Sequence, residues 1–159
     1  MKHLDNEPIT RPPVVVVYVL NQHGLYLAVE VDSRAGRLLP VSGTMEPGED
    51  LLDTVERELA EELPGLDITA GYVLGSFAFR GCVAHAFMVE AWTGCPTPGG
   101  EVKSLAWVPF DVFERDHELG AFHTAVWKAR LLRGSGEHRV TAATFEPYTP
   151  ETTQEESPC

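Results

Sequence analysis

Apolar residues along this chain fall into blocks with two different spacings. Val14 to Leu20 is an unbroken, largely β-branched run, short enough for a strand and far too short to cross a membrane. A run of this kind predicts a strand buried on both faces. Asn21-Gln22-His23-Gly24 supplies a turn, and Leu25 to Val31 reads as the returning strand. Asp32 to Arg37 is a second polar turn, after which Leu38-Leu39-Pro40 leads into a Gly- and Pro-bearing stretch. Thr69 to Phe79 and Cys82 to Trp92, rich in β-branched and aromatic residues, predict two more strands joined near Arg80-Gly81. Leu105 to Val108 predicts a last one, beyond the breaking loop from Thr93 to Gly100.

The period becomes helical in two places. After Asp50, the residues Leu52, Val55, Leu59 and Leu63 form an apolar stripe, with Thr54, Glu58, Glu61 and Glu62 on the roughly opposite face. Asp50 is placed to cap this helix, with Asp53 at capping-box spacing, and Pro64-Gly65 to stop it. Ala121 to Leu132 predicts the second long helix, with Ala125, Leu132, Val126 and Ala129 at core spacing. His123 and Trp127 on its flank read as packing, and Asp111 as the start of a short helical turn. Strands interleaved with two helices imply an α/β (α+β) layer fold with a mixed sheet.

Composition divides the chain further. Residues 1–12 read as an arm and 13–133 as one domain. From Gly134 to Cys159 apolar residues give way to Thr, Glu, Pro and Ser, which reads as a disordered tail. A length of 159 residues, 43% hydrophobic and 23% charged, suits a single globular domain. The net charge of −12 argues against a duplex nucleic-acid binder and repels free phosphates, so phosphate chemistry here must recruit a cation. No apolar segment reads as a signal peptide or a membrane span. Cys82, Cys95 and Cys159 form no CxxC pair, which suggests reduced thiols in a cytoplasmic protein and gives a Cys82–Cys95 bond little in its favour.

Charge changes the picture most between Gly43 and Gly65. Glu46, Glu49, Asp50, Asp53, Glu56, Glu58, Glu61 and Glu62 stand there against the single basic residue Arg57. Like charges three or four apart cost a helix roughly 0.2–0.5 kcal/mol per pair, and Glu58 faces both Glu61 and Glu62 at those spacings. A counter-charge is therefore expected. Converging hard oxygen ligands suit Mg²⁺ or Mn²⁺. A solvated acidic face is the plainer reading. An EF-hand lacks its alternating Asp/Asn ligands, and a P-loop fails because Glu49-Asp50 stand where Lys-Ser/Thr is required.

This stretch resembles the Nudix box, Gly-x5-Glu-x7-Arg-Glu-U-x-Glu-Glu-x-Gly-U, where U is a large aliphatic residue. Gly43, Glu49, Arg57, Glu58, Leu59, Glu61 and Glu62 fall in register. Pro64 departs from the pattern, and a one-residue insertion restores Gly-U at Gly65-Leu66. The resemblance to the Nudix hydrolase superfamily implies an α/β/α sandwich. It also implies a metal-dependent hydrolase cleaving a diphosphate linkage in a nucleoside diphosphate joined to another moiety, an EC 3.6.1-like pyrophosphohydrolase. The rival is a catalytically silent Nudix-fold module that binds a nucleotide.

By resemblance, Glu58, Glu61 and Glu62 are the metal-binding carboxylates, with Glu58 metal ligand or base and the backbone carbonyl near Ser42 and Gly43 a further ligand. Mg²⁺ or Mn²⁺ is the cofactor. Arg57 and Glu49 read as an ion pair that orients the loop against the helix. Glu101, ahead of Leu105-Ala106-Trp107, occupies the place from which a base outside the box often comes; a solvated loop carboxylate is its other reading. Glu90 is more simply solvent-facing. Phe77, Phe79 and Arg80 are placed to contact a base and its phosphates, or else belong to the core. The partner is a small-molecule nucleotide, with no duplex nucleic acid and no membrane.

Overall fold

A computed structural model describes residues 1–142, with side chains described through Arg133. Val14–Val19 (β2) is the spine of the molecule. Val15, Val17 and Val19 enter one core while Val16 and Tyr18 enter another, which is why the run carries no polar alternation. A mixed five-stranded sheet is built around it in the order β1-β5-β6-β2-β4, where β1 is Lys2–His3, β4 Val41–Thr44, β5 Leu66–Phe79 and β6 Cys82–Gly94. β2 runs parallel to β6 and antiparallel to β4.

Helix α1 (Leu51–Glu62) covers one face through Val55 and Leu59, followed by Leu63 just past its end. Helices α2 (Asp111–Glu114) and α3 (Gly120–Ala142) cover the other through Phe113, Phe122, Ala125 and Val126. The expected layering of helices on both faces of a mixed sheet is therefore present.

Several details differ from the sequence reading. The turn at 21–24 forms, with Asn21 Oδ1 accepting from the backbone of His23 (2.9 Å) and Leu25 (3.0 Å). The strand that follows, Tyr26–Val31 (β3), packs on the spine but forms no ladder with it among the described residues, beyond one bridge between Leu20, just past β2, and Tyr26. Its ladder partner is Val102–Val108 (β7), in a second, two-stranded antiparallel sheet. β4 was not expected as a strand, since Val-Ser-Gly-Thr has little strand character of its own and takes its pairing from β2. The arm contributes β1, parallel to β5.

On α1, Leu52 is 47% exposed; Leu51, one position earlier, supplies the first contact of the stripe. Leu132, expected in the core, is 74% exposed. α3 runs past Gly134 to Ala142, across the expected start of the tail, and 143–159 lie outside the described residues. Cys82 is a buried free thiol, so the Cys82–Cys95 bond is not formed. Cys159 lies outside the described residues.

Candidate active site

The acidic helix is held to β4 by a missing side chain. A Cβ at Gly43 would lie 1.9 Å from Glu58 Cδ and Oε1, so glycine alone leaves room for that carboxylate against the strand. Asp50 caps the helix and forms the expected capping box with Asp53. Arg57 then joins three segments. Its Nε and Nη2 donate to Glu49 (2.6 and 3.0 Å), Nη2 also to the Thr44 carbonyl (2.9 Å), and Nη1 to Glu58 Oε1 (2.8 Å). Glu49 accepts in addition from Glu46 N (2.9 Å) and Thr54 Oγ1 (2.8 Å). The Arg57 hydrogen bond, then those of Glu46 and Thr54, hold its carboxyl down to about 2. The ion pair read from the sequence is thus a clamp between loop and helix.

The remaining carboxylates are less fully compensated. Glu58 is 7% exposed, and desolvation pushes its carboxyl up against the opposing pull of Arg57. Glu62 is pushed up to about 7, by burial first and then by the negative charges of Glu58, Glu101 and Glu61, with Arg34 opposing. Glu61 has a 60% exposed side chain with Arg57 Nη1 at 3.9 Å.

Glu62, Glu101 and Ser42 line a cleft of about 140 Å³ together with Arg34 and Arg37. Glu101 arrives there because its loop is pinned to the end of α1. Gly99 N donates to the Glu62 carbonyl (3.0 Å), and Thr97 N and Oγ1 to the Pro64 carbonyl (3.0 and 3.1 Å). The loop packs so tightly that a Cβ on Gly99 would stand 2.5 Å from Pro64 Cδ. Leu63 leaves helical dihedrals and Gly65 takes φ +94°, so the stop falls at the Pro64-Gly65 insertion. The insertion leaves Glu62 inside the helix.

Two expected residues lie elsewhere. Phe79 stacks on Phe122 at 6.0 Å, and Arg80, at the β5–β6 turn, pairs with Glu118 at 3.1 Å; neither lines the cleft. Phe77 is core, and Glu90 interacts with Tyr72. The cations that do line the cleft, Arg34 and Arg37, stand in what read as a mere polar turn. Arg37 is committed to Asp116 through two bonds of 2.9 and 2.7 Å, which leaves Arg34 as the cation set against Glu62. Two arginines just ahead of the acidic stretch, in a chain with only 12 Lys and Arg, were the available signal.

The family model for the NUDIX domain matches residues 10–130. The chain belongs to the Nudix family. That membership makes it a Nudix-type pyrophosphohydrolase, as the box implied. Solved structures agree in fold. A putative Nudix hydrolase family member from Chromobacterium violaceum is 18% identical over 86% of this chain and 90% of its own, with a TM-score of 0.65. The MutT protein of work on Aliivibrio salmonicida and Vibrio cholerae is 20% identical over 77% and 99%, at 0.63. The E. coli ORF135 protein is 21% identical over 86% and 94%, at 0.62. No curated protein matches the chain significantly in sequence.

The donor set of this Nudix domain fits a hard divalent cation in its chemistry. It is all oxygen, net negative and short of protein counter-charge at Glu62. Among the described residues, no three carboxylate, imidazole or thiolate groups close on one point. Glu58 leans on Arg57 and Gly43, Glu61 points outward, and Glu62 faces the cleft. The box therefore presents an acidic edge with open positions rather than a closed cage.

Proposed function

We propose that this Nudix domain is a divalent-metal-dependent hydrolase of the diphosphate linkage in a nucleoside diphosphate joined to another moiety, working in the cytoplasm on a small-molecule nucleotide. The observation that carries the reading is the polar cleft in which Glu62, Glu101 and Ser42 meet Arg34 at the end of the acidic helix. Glu58, Glu61 and Glu62, with the carbonyl of Gly43, would hold Mg²⁺ or Mn²⁺. Such a cation neutralises phosphate charge and makes bound water more acidic. Glu101 and Glu58 are the carboxylates available to take the proton of the attacking water. Arg34 offers positive charge to the substrate phosphates, and the Glu49–Arg57 clamp keeps Glu58 against Gly43. Among the described residues no helix is long and apolar enough to cross a membrane.

The open arrangement of the carboxylates favours one rival, a silent nucleotide-binding module. A panel of nucleotides with Mg²⁺ or Mn²⁺ separates the two, scored for released phosphate or pyrophosphate and the partner mononucleotide. Metal-dependent turnover of at least one diphosphate-containing compound is expected, together with a large loss in Glu101→Gln if Glu101 is the base. Tight nucleotide binding with no turnover across the panel would establish the module.

A further inference from the structure

On the opposite face of the sheet, the β2–β3 turn, the β7–α2 corner and α3 border a second, solvent-open cavity of about 460 Å³. That size falls in the roughly 300–1,000 Å³ range of small-molecule sites. Its lining is largely apolar and aromatic, including Leu20, Tyr26, Pro109, Phe110 and Trp127, with Arg130 as its cation. None of these residues lines the acidic cleft. The aromatic walls are packed and rigid: Phe110 lies 4.8 Å from Trp127 and 5.1 Å from Tyr26, centroid to centroid.

Two polar groups here are left without partners. Arg130 sits over the rings of Trp127 (5.5 Å) and Tyr26 (5.9 Å), and no carboxylate among the described residues pairs with it, in a chain of net charge −12. The two acids that line the cavity are engaged elsewhere. Asp111 lies 3.5 Å from Arg115, and Glu114 accepts from Thr124 Oγ1 at 2.9 Å. The second group is Tyr26, only 2% exposed, whose hydroxyl is buried without a hydrogen-bond partner among the described residues. Folded proteins rarely leave such a hydroxyl unsatisfied, because the desolvation is not recovered. An unpaired guanidinium on an aromatic platform at the mouth of an apolar cavity specifies an anionic aromatic ligand, whereas the phenol hydroxyl lies behind the cavity wall.

We propose that this cavity is a second ligand site, for a small planar aromatic compound carrying an anionic group. The ring packs among Leu20, Phe110 and Trp127, and the anion pairs with Arg130. The site is independent of the diphosphate chemistry proposed for the other face.

The test uses the full chain and two fluorescent probes of matched shape, 1-anilinonaphthalene-8-sulfonate and its uncharged analogue N-phenyl-1-naphthylamine. The sulfonate is expected to bind saturably at one site. Arg130→Gln should weaken it about tenfold, as the loss of one charge-assisted contact does, while leaving the neutral probe unchanged. Tyr26→Phe should leave the affinity for both probes unchanged, because the hydroxyl it removes is buried behind the cavity wall. Wild-type affinity for the sulfonate in Arg130→Gln, or an equal loss of the neutral probe in that variant, would overturn the proposal.

Discussion

On the α3 face of the sheet, the groups nearest the core are aromatic and neutral. Phe110, Phe113 and Phe122 surround Tyr18 and His123, whose hydroxyl and Nδ1 lie 2.8 Å apart. On the α1 face, the groups at the core's edge are carboxylates of one sign. Glu58 is buried, Glu62 is pushed up to about 7, and Glu101 is brought in by the loop pinned to the helix end. The same β2 strand supplies valines to both layers, so hydrophobic packing does not distinguish them. Uncompensated charge does. One face is arranged for stability, and the other holds like charges together at a cost that a bound cation would offset.

The sharpest way to break this contrast is Glu58→Gln. Gln is nearly isosteric, keeps helix propensity and removes repulsion from Glu61, so the melting temperature should hold or rise. Turnover should nonetheless fall by about 10²–10⁴-fold, the usual loss of a general base or its equivalent. Parallel thermal melts and initial rates check it; a fall in melting temperature with turnover retained would make Glu58 a structural residue.

The α3 face should respond to acid instead. Burial pushes His123 down from 6.5 to about 4, so the folded protein keeps it neutral while the unfolded chain takes up a proton. The unfolded state then binds more protons between those values, and stability falls as pH drops from about 6.5 to about 4. The full shift corresponds to about 3 kcal/mol. Urea titrations across that range should show this slope, and His123→Gln should flatten it while leaving the slope near neutrality alone.

What could be read in advance follows the same division. The box helix, its cap and the Glu49–Arg57 clamp were legible because they are local, set by spacing along one helix and its entry loop. β2 was legible because five consecutive buried residues leave no polar alternation to misread. The partner of β3 was not, since nothing in Tyr26–Val31 says that it pairs with a strand some 75 residues on. Glu58 read as exposed because its burial depends on room left by Gly43 on another element. Arg34 and Arg37 read as turn residues because the cleft they line is assembled only when β3, β4 and the Glu101 loop meet. Phe79 and Arg80 were placed by likeness to the family, and here the hairpin tip that carries them is taken up by Phe122 and Glu118. The stretch from Gly134 on read as a disordered tail from its composition, yet α3 continues through Gly134 to Ala142.

The central claim is that the acidic edge of α1 is incomplete without a cation. Glu62 titrates near 7 rather than at the ordinary 4.5, so without metal the folded state binds the extra proton and stability falls as pH rises through that window. Urea unfolding of the wild type and Glu62→Gln at pH 8, each with chelator and with saturating Mn²⁺, tests this directly. With chelator the variant should be the more stable, by about 1 kcal/mol once solvent screening is allowed for. With Mn²⁺ the order should reverse, because a ligand that binds only the folded state stabilises it by mass action and the wild type binds it better. A variant less stable than the wild type under both conditions, with no response to Mn²⁺ in either protein, would contradict the account.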